Sequence, residues 1–378
     1  MPSIDFYLIR KSLRYLRLYG FLRTLAKTLG RIRPKFKIWL ILKFPFYKFN
    51  GSRVSIIGSG HHAFSSIAFF LSTNSDSKIS FVSDINTEAS RSLAFAYGAV
   101  DVGDDYVAAL ERDNKLELVY IASNHASHAF YAIEAIKRGL DVFIEKPIAV
   151  NRQQFDELVN TVDASSSRVY VGYNRPFAPA TYRLRELAKE HCGPLSLAFF
   201  VIAHTLPMDH WYRRPEEGSR IIANMSHWID MTTHILHWKE ILPDFVDIHI
   251  AYGNPRIPSD NIAITLTSSE EDIVSIVFSS RSEPFEGVNE SLNFQRGKLS
   301  AKIDDFRTMQ IWNDSHFQTY KFSPKDNGHK SCVLQPFNRY YERNWDEIKI
   351  STGLMLHIEE MVSELKKESR FFLRQKSL

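Results

Sequence analysis

A glycine turn set between a short strand and a helix limits this chain's fold more than any other feature. Residues 53–71 read RVSIIGSGHHAFSSIAFFL. Val54, Ile56 and Ile57 form a β-rich run, and Gly58-Ser59-Gly60 follows at once. His61, His62 and Ala63 come next, before a helical stretch carrying Ile67, Phe69, Phe70 and Leu71. This is G-x-G-x-x-A in the context a dinucleotide motif requires. The first glycine permits the tight turn, the second lets backbone approach a pyrophosphate, and the small third residue allows close helix–strand packing. The phosphates would then meet the N–H groups and positive dipole end of a helix.

Alone, that motif is weak, and the strands that follow strengthen it. KISFVSD ends in Asp84, placed to accept hydrogen bonds from adenosine ribose hydroxyls, which favours NAD over NADP. LELVYIAS (116–123) reads as a buried parallel strand, followed by a helix over 126–138 that Gly139 closes. LDVFIEKP and VYVGYNRPF (169–177) add two more strands and loops. Gly58, Ser123-Asn124-His125 and Glu145-Lys146-Pro147 are thereby expected at one carboxyl edge, where doubly wound sheets bind ligands. The expected cofactor residues are Gly58, Ser59, Gly60, His61, His62, Ala63, Asp84, Ser123, Asn124, His128, Glu145 and Lys146. At least one of His125 and His128 is expected to line the pocket.

From Leu195 the pattern changes. LSLAFFVIAH, FVDIHIAYG, NIAITLTSS, DIVSIVFSSR and FQTYKF alternate or run β-branched with turns between them. The fold class expected is α/β: an N-terminal Rossmann doubly wound parallel sheet, then an α+β domain with a mostly antiparallel open sheet and a helix over 219–237. The domain boundaries read 1–50 for a basic amphipathic extension, 51–173 for the NAD-binding domain and 174–353 for a substrate and oligomerisation domain. A C-terminal helix and tail occupy 354–378, with Glu359, Lys366 and Lys367 outward. One face of the second sheet is expected over the cofactor cleft and the other against a second subunit, making a homo-oligomer.

GSGHHA, IASNHASH, IEKPIAV and GYNRPF, in that order, resemble the glucose–fructose oxidoreductase/inositol dehydrogenase (Gfo/Idh/MocA) family over about residues 52–370. LPMDHWYRRPEEGSRIIANMSHWIDM (206–231) is similar to one branch, often found as the C-terminal half of two-part proteins associated with surface polysaccharide. The resemblance implies that Lys146 hydrogen-bonds the reacting sugar hydroxyl near the nicotinamide and that His227 accepts its proton. The chemistry agrees: an imidazole with a pKa near 6.5 takes a proton at neutral pH. A neighbouring ammonium stabilises developing charge on oxygen. Asp230 either orients that imidazole or serves packing. Many members carry Asp four residues before the His; here Ala223 stands there and Asn224 follows, and Asn cannot accept a proton. Asn174, Arg175, His210, Trp211, Asn224 and Asp230 complete the expected substrate wall, with a structural anchor equally open for Trp211. No H-E-x-x-H or Cys/His spacing suggests a metal.

Charge separates the ends of the chain. Of 47 Lys and Arg against 43 Asp and Glu, the first fifty residues hold twelve and one, giving +11 there and −7 over the rest. Ile9, Leu13 and Leu16 fall on one helical stripe, Leu18, Leu22, Leu25 and Leu29 continue it, and Pro34 is expected to end it. IWLIL (38–42) with Phe44, Phe46 and Tyr47 adds an apolar patch. Such an arm either lies on an anionic membrane or packs on its own body or a second subunit; a nucleic-acid partner is disfavoured by so many Leu and Phe. No segment reaches 18 apolar residues. Two cysteines, Cys192 and Cys332, suit a reducing compartment, and the location expected is cytoplasmic, peripheral to the inner membrane face.

Three functions compete. The leading one is an NAD-dependent oxidoreductase acting on a CH–OH group of a nucleotide- or lipid-linked sugar in polysaccharide assembly. The second keeps the site but regenerates NAD, using transient oxidation for elimination or epimerisation. The third is a non-catalytic, membrane-held dinucleotide-binding protein.

Overall fold

The computed structural model describes residues 6–36, 52–74, 76–112, 115–281, 287–338 and 343–374. The 38–42 patch, Phe44, Phe46, Tyr47 and the Asn50-Gly51 turn lie outside these residues.

The N-terminal stripe forms two helices, α1 (Phe6–Tyr19) and α2 (Phe21–Phe36). Gly20, at φ +78°, separates them. The two-residue step from Leu16 to Leu18 had already broken the helical phase. Pro34 does not end the helix, as expected from sequence; α2 runs two residues further. A proline lacks only its own N–H, and near a helix end that single lost bond is tolerated.

The chain divides into two compact units, Gly20–Tyr173 with His329–Trp345, and Met1–Tyr19 with Asn174–Gly328 and Asp346–Leu378. In the first, β1 (Ser52–Ile57) leads through a π-helical turn over Ala63–Ala68 and the short α3 (Phe69–Leu71) to β2 (Ser77–Ser83). Then come α4 (Thr87–Tyr97), β3 (Val100–Asp101), α5 (Tyr106–Arg112), β4 (Leu116–Ile121), α6 (His128–Ile136), β5 (Asp141–Ile144), α7 (Arg152–Asp163) and β6 (Val169–Val171). The strands are all parallel in the order β3-β2-β1-β4-β5-β6. Val54, Ile56, Val119, Ile121, Val142 and Ile144 are fully enclosed at its centre. At roughly 1.5–3 kcal/mol for each such side chain, these runs explain why continuous apolar strands suit a sheet covered on both faces. The strand order reverses between β1 and β4, and the crevice outside their carboxyl ends is where such sheets bind ligands.

The second unit contains α8 (Pro179–Ala188), β7 (Leu195–Ile202), a π-helical turn over Ile221–Met225 and α9 (Ser226–Leu236). Seven strands follow: β8 (Phe245–Tyr252), β9 (Asn261–Ser268), β10 (Ile273–Ser279), β11 (Asn289–Arg296), β12 (Leu299–Asp304), β13 (Thr308–Asn313) and β14 (His316–Lys321). After α10 (His329–Val333), which belongs to the first unit, come α11 (Trp345–Ser363) and β15 (Glu368–Phe372). The nine-stranded sheet runs β14-β13-β12-β11-β7-β10-β9-β8-β15. Only the β7–β10 pair among these is parallel, so the mostly antiparallel sheet expected from sequence is present. Glu359, expected outward, is instead half-buried and accepts a hydrogen bond from Ser219. Burial raises its carboxyl pKa despite that bond.

Candidate functional site

In the first unit the glycine turn is fixed by its neighbours. Gly58 has φ +85°, and a Cβ there would lie 2.3 Å from the Ala122 carbonyl oxygen at the end of β4, so no other residue fits. Its N–H donates to Ser83 O at 2.9 Å. A Cβ on Gly60, by contrast, would meet nothing within 4 Å: this glycine borders open space, as a backbone meant to approach a diphosphate should. Ala63 is buried where close packing was expected. Asp84 ties the turn to the end of β2. Its Oδ2 accepts from the Ser59 N–H at 2.5 Å and its Oδ1 from the Asn86 N–H at 2.8 Å. Each oxygen keeps a second lone pair, and the carboxylate is half-buried at the edge, which fits a ribose diol. The Ser59 side chain is enclosed and contributes backbone only.

Two strands along the sheet, Glu145 leaves the end of β5. Its carboxylate accepts from His62 Nε2 at 3.0 Å. Burial pushes its pKa up, but His62, Lys146 and His128 outweigh burial and hold it below the usual carboxylate range. Gly172 makes room for it: a Cβ there would stand 2.6 Å from Glu145 Oε2. Lys146 is half-buried beside it. Ser123 is half-buried and Asn124 exposed at the end of β4, with Ser123 Oγ and Ser127 Oγ 2.7 Å apart.

His125 and His128 correct the expectation that one of them lines the pocket, and His128 leaves the cofactor residues. They are 4% and 1% exposed, so neither offers a surface to a ligand. His128 Nδ1 lies 2.7 Å from Pro147 O and Nε2 3.2 Å from Ser123 O. Burial lowers its pKa, and the neutral ring, with a single N–H, donates to one of these two carbonyls at a time. Sequence reasoning missed His329, whose ring centroid stands 6.1 Å from that of His62; nothing local marks a residue brought in from a distant segment.

Sequence reasoning placed a helix where α2 lies but missed its contacts with the glycine turn. Arg33, 2% exposed, donates to the Ser59 carbonyl, to Gly60 O at 3.3 Å, to Ala89 O at 3.2 Å and to Ser92 Oγ at 2.6 Å. Its guanidinium lies 4.2 Å from the centroid of Phe64. Burial lowers even its pKa, to about 10, so it stays charged at neutral pH. His61 sits against Gly30 of the same helix. Burial first, then Arg31, His62, Lys27 and Arg33, bring its pKa down to about 4, leaving a neutral imidazole.

In the second unit, the π-helical turn carries Asn224 immediately before α9, which carries His227 and Asp230. Such turns recur at functional sites. Asn224 and His227 are half-buried, and Asn224 Oδ1 is enclosed with no hydrogen-bond donor among the described residues. Asp230 is fully buried and accepts from Ser351 Oγ at 3.1 Å. Arg175 departs from its expected role against substrate. Its Nε and Nη2 reach Glu290 at 2.6 and 2.9 Å, Trp228 Nε1 donates to the same carboxylate at 2.7 Å, and the guanidinium lies over the Trp228 ring. Both charges are buried, so the pair is internal structure. Asn174, 3% exposed, donates to Asn327 O at 2.5 Å and likewise braces a loop. His210 Nδ1 accepts from the Tyr212 N–H at 3.2 Å, capping the turn that holds Trp211.

A parallel sheet with this glycine cradle and an acid closing β2 defines a dinucleotide-binding protein. Residues 52–173 match the GFO_IDH_MocA family, described as "Oxidoreductase family, NAD-binding Rossmann fold". It is 35% identical over 79 residues to Oxidoreductase P35 of Formosa agariphila, covering 21% of this chain and 25% of that one. It is 31% identical over 134 residues to D-glucoside 3-dehydrogenase of Escherichia coli K12, covering 35% of this chain and 38% of the relative. The chain thus spans well under two thirds of either relative. The structure titled "Levoglucosan dehydrogenase, complex with NADH and L-sorbose" superposes with TM-score 0.70 at 14% identity, over 86% of this chain and 99% of that one, which establishes a shared fold.

Proposed function

We propose that this chain is an NAD-dependent oxidoreductase that moves a hydride between the C–H of a hydroxyl-bearing sugar carbon and the nicotinamide, the hydroxyl giving up its proton. The observation that carries the reading is the Gly58–Asp84 cradle in the same sheet edge as the Glu145–Lys146 turn. Bound NAD supplies the hydride acceptor. The Asp84 carboxylate takes the ribose hydroxyls and disfavours a 2′-phosphate by like charge. The N–H groups of the glycine turn take the diphosphate.

Lys146 donates a hydrogen bond to the reacting oxygen and stabilises the negative charge that grows there as the O–H proton leaves. Glu145, held ionised by His62, keeps a negative charge next to that ammonium. His227 is the proton acceptor. Asn224 has no proton-accepting role, but its enclosed, donor-free Oδ1 suits a substrate hydroxyl, because a buried acceptor left unsatisfied costs about 1–3 kcal/mol. The named relatives that act on a glucoside and on levoglucosan support a sugar.

The finer reading is a nucleotide- or lipid-linked sugar used in polysaccharide assembly near a membrane. Leu13 and Leu16 on α1, and Phe21 and Leu22 on α2, are exposed among cations such as Arg10, Arg17 and Arg31, which suits an anionic lipid surface. No helix among the described residues is long and apolar enough to cross a membrane.

The test is a screen of free, nucleotide-linked and lipid-linked sugars with NAD, followed at the nicotinamide absorbance band with product analysis. Net NADH formation is the expected result. Turnover with NAD remaining oxidised would replace this reading with the redox-neutral one, and turnover of no sugar would remove both.

A further inference from the structure

Resting on the NAD reading above, we propose that α2 is a working wall of the dinucleotide site and that Arg33 is a positioning residue for the cofactor diphosphate. The argument begins with the peptide plane. In a trans peptide the C=O of one residue and the N–H of the next point in opposite directions. Arg33 draws the carbonyls of Ser59 and Gly60 toward its guanidinium. The N–H groups of Gly60 and His61 must therefore point away from α2. Beyond Gly60 lies open space, since a Cβ there would meet nothing within 4 Å. Those are the two donors that the glycine motif offers to a diphosphate.

The same contact also strengthens the donors. A carbonyl bound by a cation in a low-dielectric setting polarises its peptide group, making the attached N–H more positive. Arg33 is anchored from behind by Ala89 O and Ser92 Oγ in α4 and lies over Phe64. Its position is thus set by three elements of one unit. Lys27 and Arg31 stand within electrostatic reach of His61, adding positive potential at the turn. A helix serving only as packing would have no need to place a buried cation on two consecutive carbonyls of the cofactor loop. Apolar Ala26 and Leu29 already fill its contact face.

The full chain provides the test. Titrations with NAD, ADP-ribose and adenosine compare wild type with Arg33→Gln, Arg33→Lys and the double variant Lys27→Gln/Arg31→Gln, with melting temperatures taken without ligand. Loss of one charge-assisted arrangement is expected to weaken NAD and ADP-ribose about tenfold in Arg33→Gln. Adenosine, which has no phosphate, should bind unchanged. Arg33→Lys should recover part of the loss by restoring charge without the fork. The double variant leaves Arg33 and its contacts unchanged, so it keeps the proposal testable even where Arg33→Gln fails to fold. It is expected to weaken ADP-ribose roughly threefold and to flatten the salt dependence of binding.

Equal affinity for ADP-ribose in wild type and the double variant, or parallel weakening of adenosine, would overturn the inference. Wild type failing to bind NAD at all would bring down the underlying reading; wild type binding while every variant matches it would remove this inference alone.

Discussion

Gly172→Ala isolates one packing relation that shapes the site. The glycine has no unusual backbone requirement, but its missing Cβ leaves the space Glu145 occupies. A methyl there would stand 2.6 Å from Oε2, 2.7 Å from Cδ and 2.9 Å from Oε1. The carboxyl must retreat by about 1 Å to reach ordinary contact, which takes it out of hydrogen-bond range of His62, now at 3.0 Å. A hydrogen bond to a charged group contributes about 1.5–3 kcal/mol. The His62 side chain is 44% exposed, which places the value at the lower end. Replacing Gly by Ala also lowers unfolded-chain entropy, offsetting roughly 0.4–1 kcal/mol. The net expectation is a loss of about 0.5–1 kcal/mol, which for a chain of this length is about 1 °C in melting temperature.

The assay is a double-mutant cycle in urea with His62→Ala. Because both changes break the same pair, they should be non-additive by about 1 kcal/mol. The pH dependence has a definite sign. Glu145 is held below the usual carboxylate range in the fold, so its contribution is present at neutral pH and lost as pH falls through that lowered value. The difference between wild type and Gly172→Ala should therefore shrink as pH falls below the usual carboxylate range. Additive effects, or a difference that persists in acid, would refute the reasoning.

Gly58→Ala should cost more, because the added methyl meets backbone at 2.3 Å and the left-handed conformation itself costs about 1–2 kcal/mol; calorimetry should show NAD binding at least about tenfold weaker. Arg175→Ala should destabilise by about 3–5 kcal/mol by stranding Glu290, with Arg175→Met/Glu290→Gln recovering part of it; a raised KM with unchanged melting temperature would instead restore Arg175 to the substrate wall. Liposome flotation of the full chain should show binding to anionic vesicles that falls with salt and with Arg10→Gln/Arg17→Gln, whereas absence of binding at low salt would remove the membrane role of the arm.

The first unit was readable because its signals are local. VSII, ISFVS and LVYI are continuous apolar runs, and each ends in a residue whose chemistry fits a carboxyl edge. The two-residue β3 was too short to leave a pattern. In the second unit, β7 to β10 were legible from β-branched alternation. NESLNFQR, which became β11, was not: two of its four inward positions are Glu290 and Arg296, only Leu292 and Phe294 being apolar there, and Asn, Ser and Gln fill the outward ones. Glu290 is tolerated inside because Arg175 and Trp228 meet it, a relation spanning 115 residues that no window contains. The substrate residues Arg175 and Asn174 were misread for the same reason. A string such as GYNRPF does not show whether ligand or protein uses its polar residues. Arg33 was counted only as part of a charge excess; its role depends on four acceptors from two other elements.

The central proposal is chemical: Lys146, also among the expected cofactor residues, serves the reacting oxygen more than it serves nucleotide affinity. The measurement that tests it is the rate of NADH formation by Lys146→Met with a substrate found in the sugar screen, taken alongside NAD affinity in the same preparation. A rate lowered by about 100-fold or more with NAD affinity within about twofold is the result expected. A rate retained within a few-fold, or affinity lost in step with rate, would contradict the account.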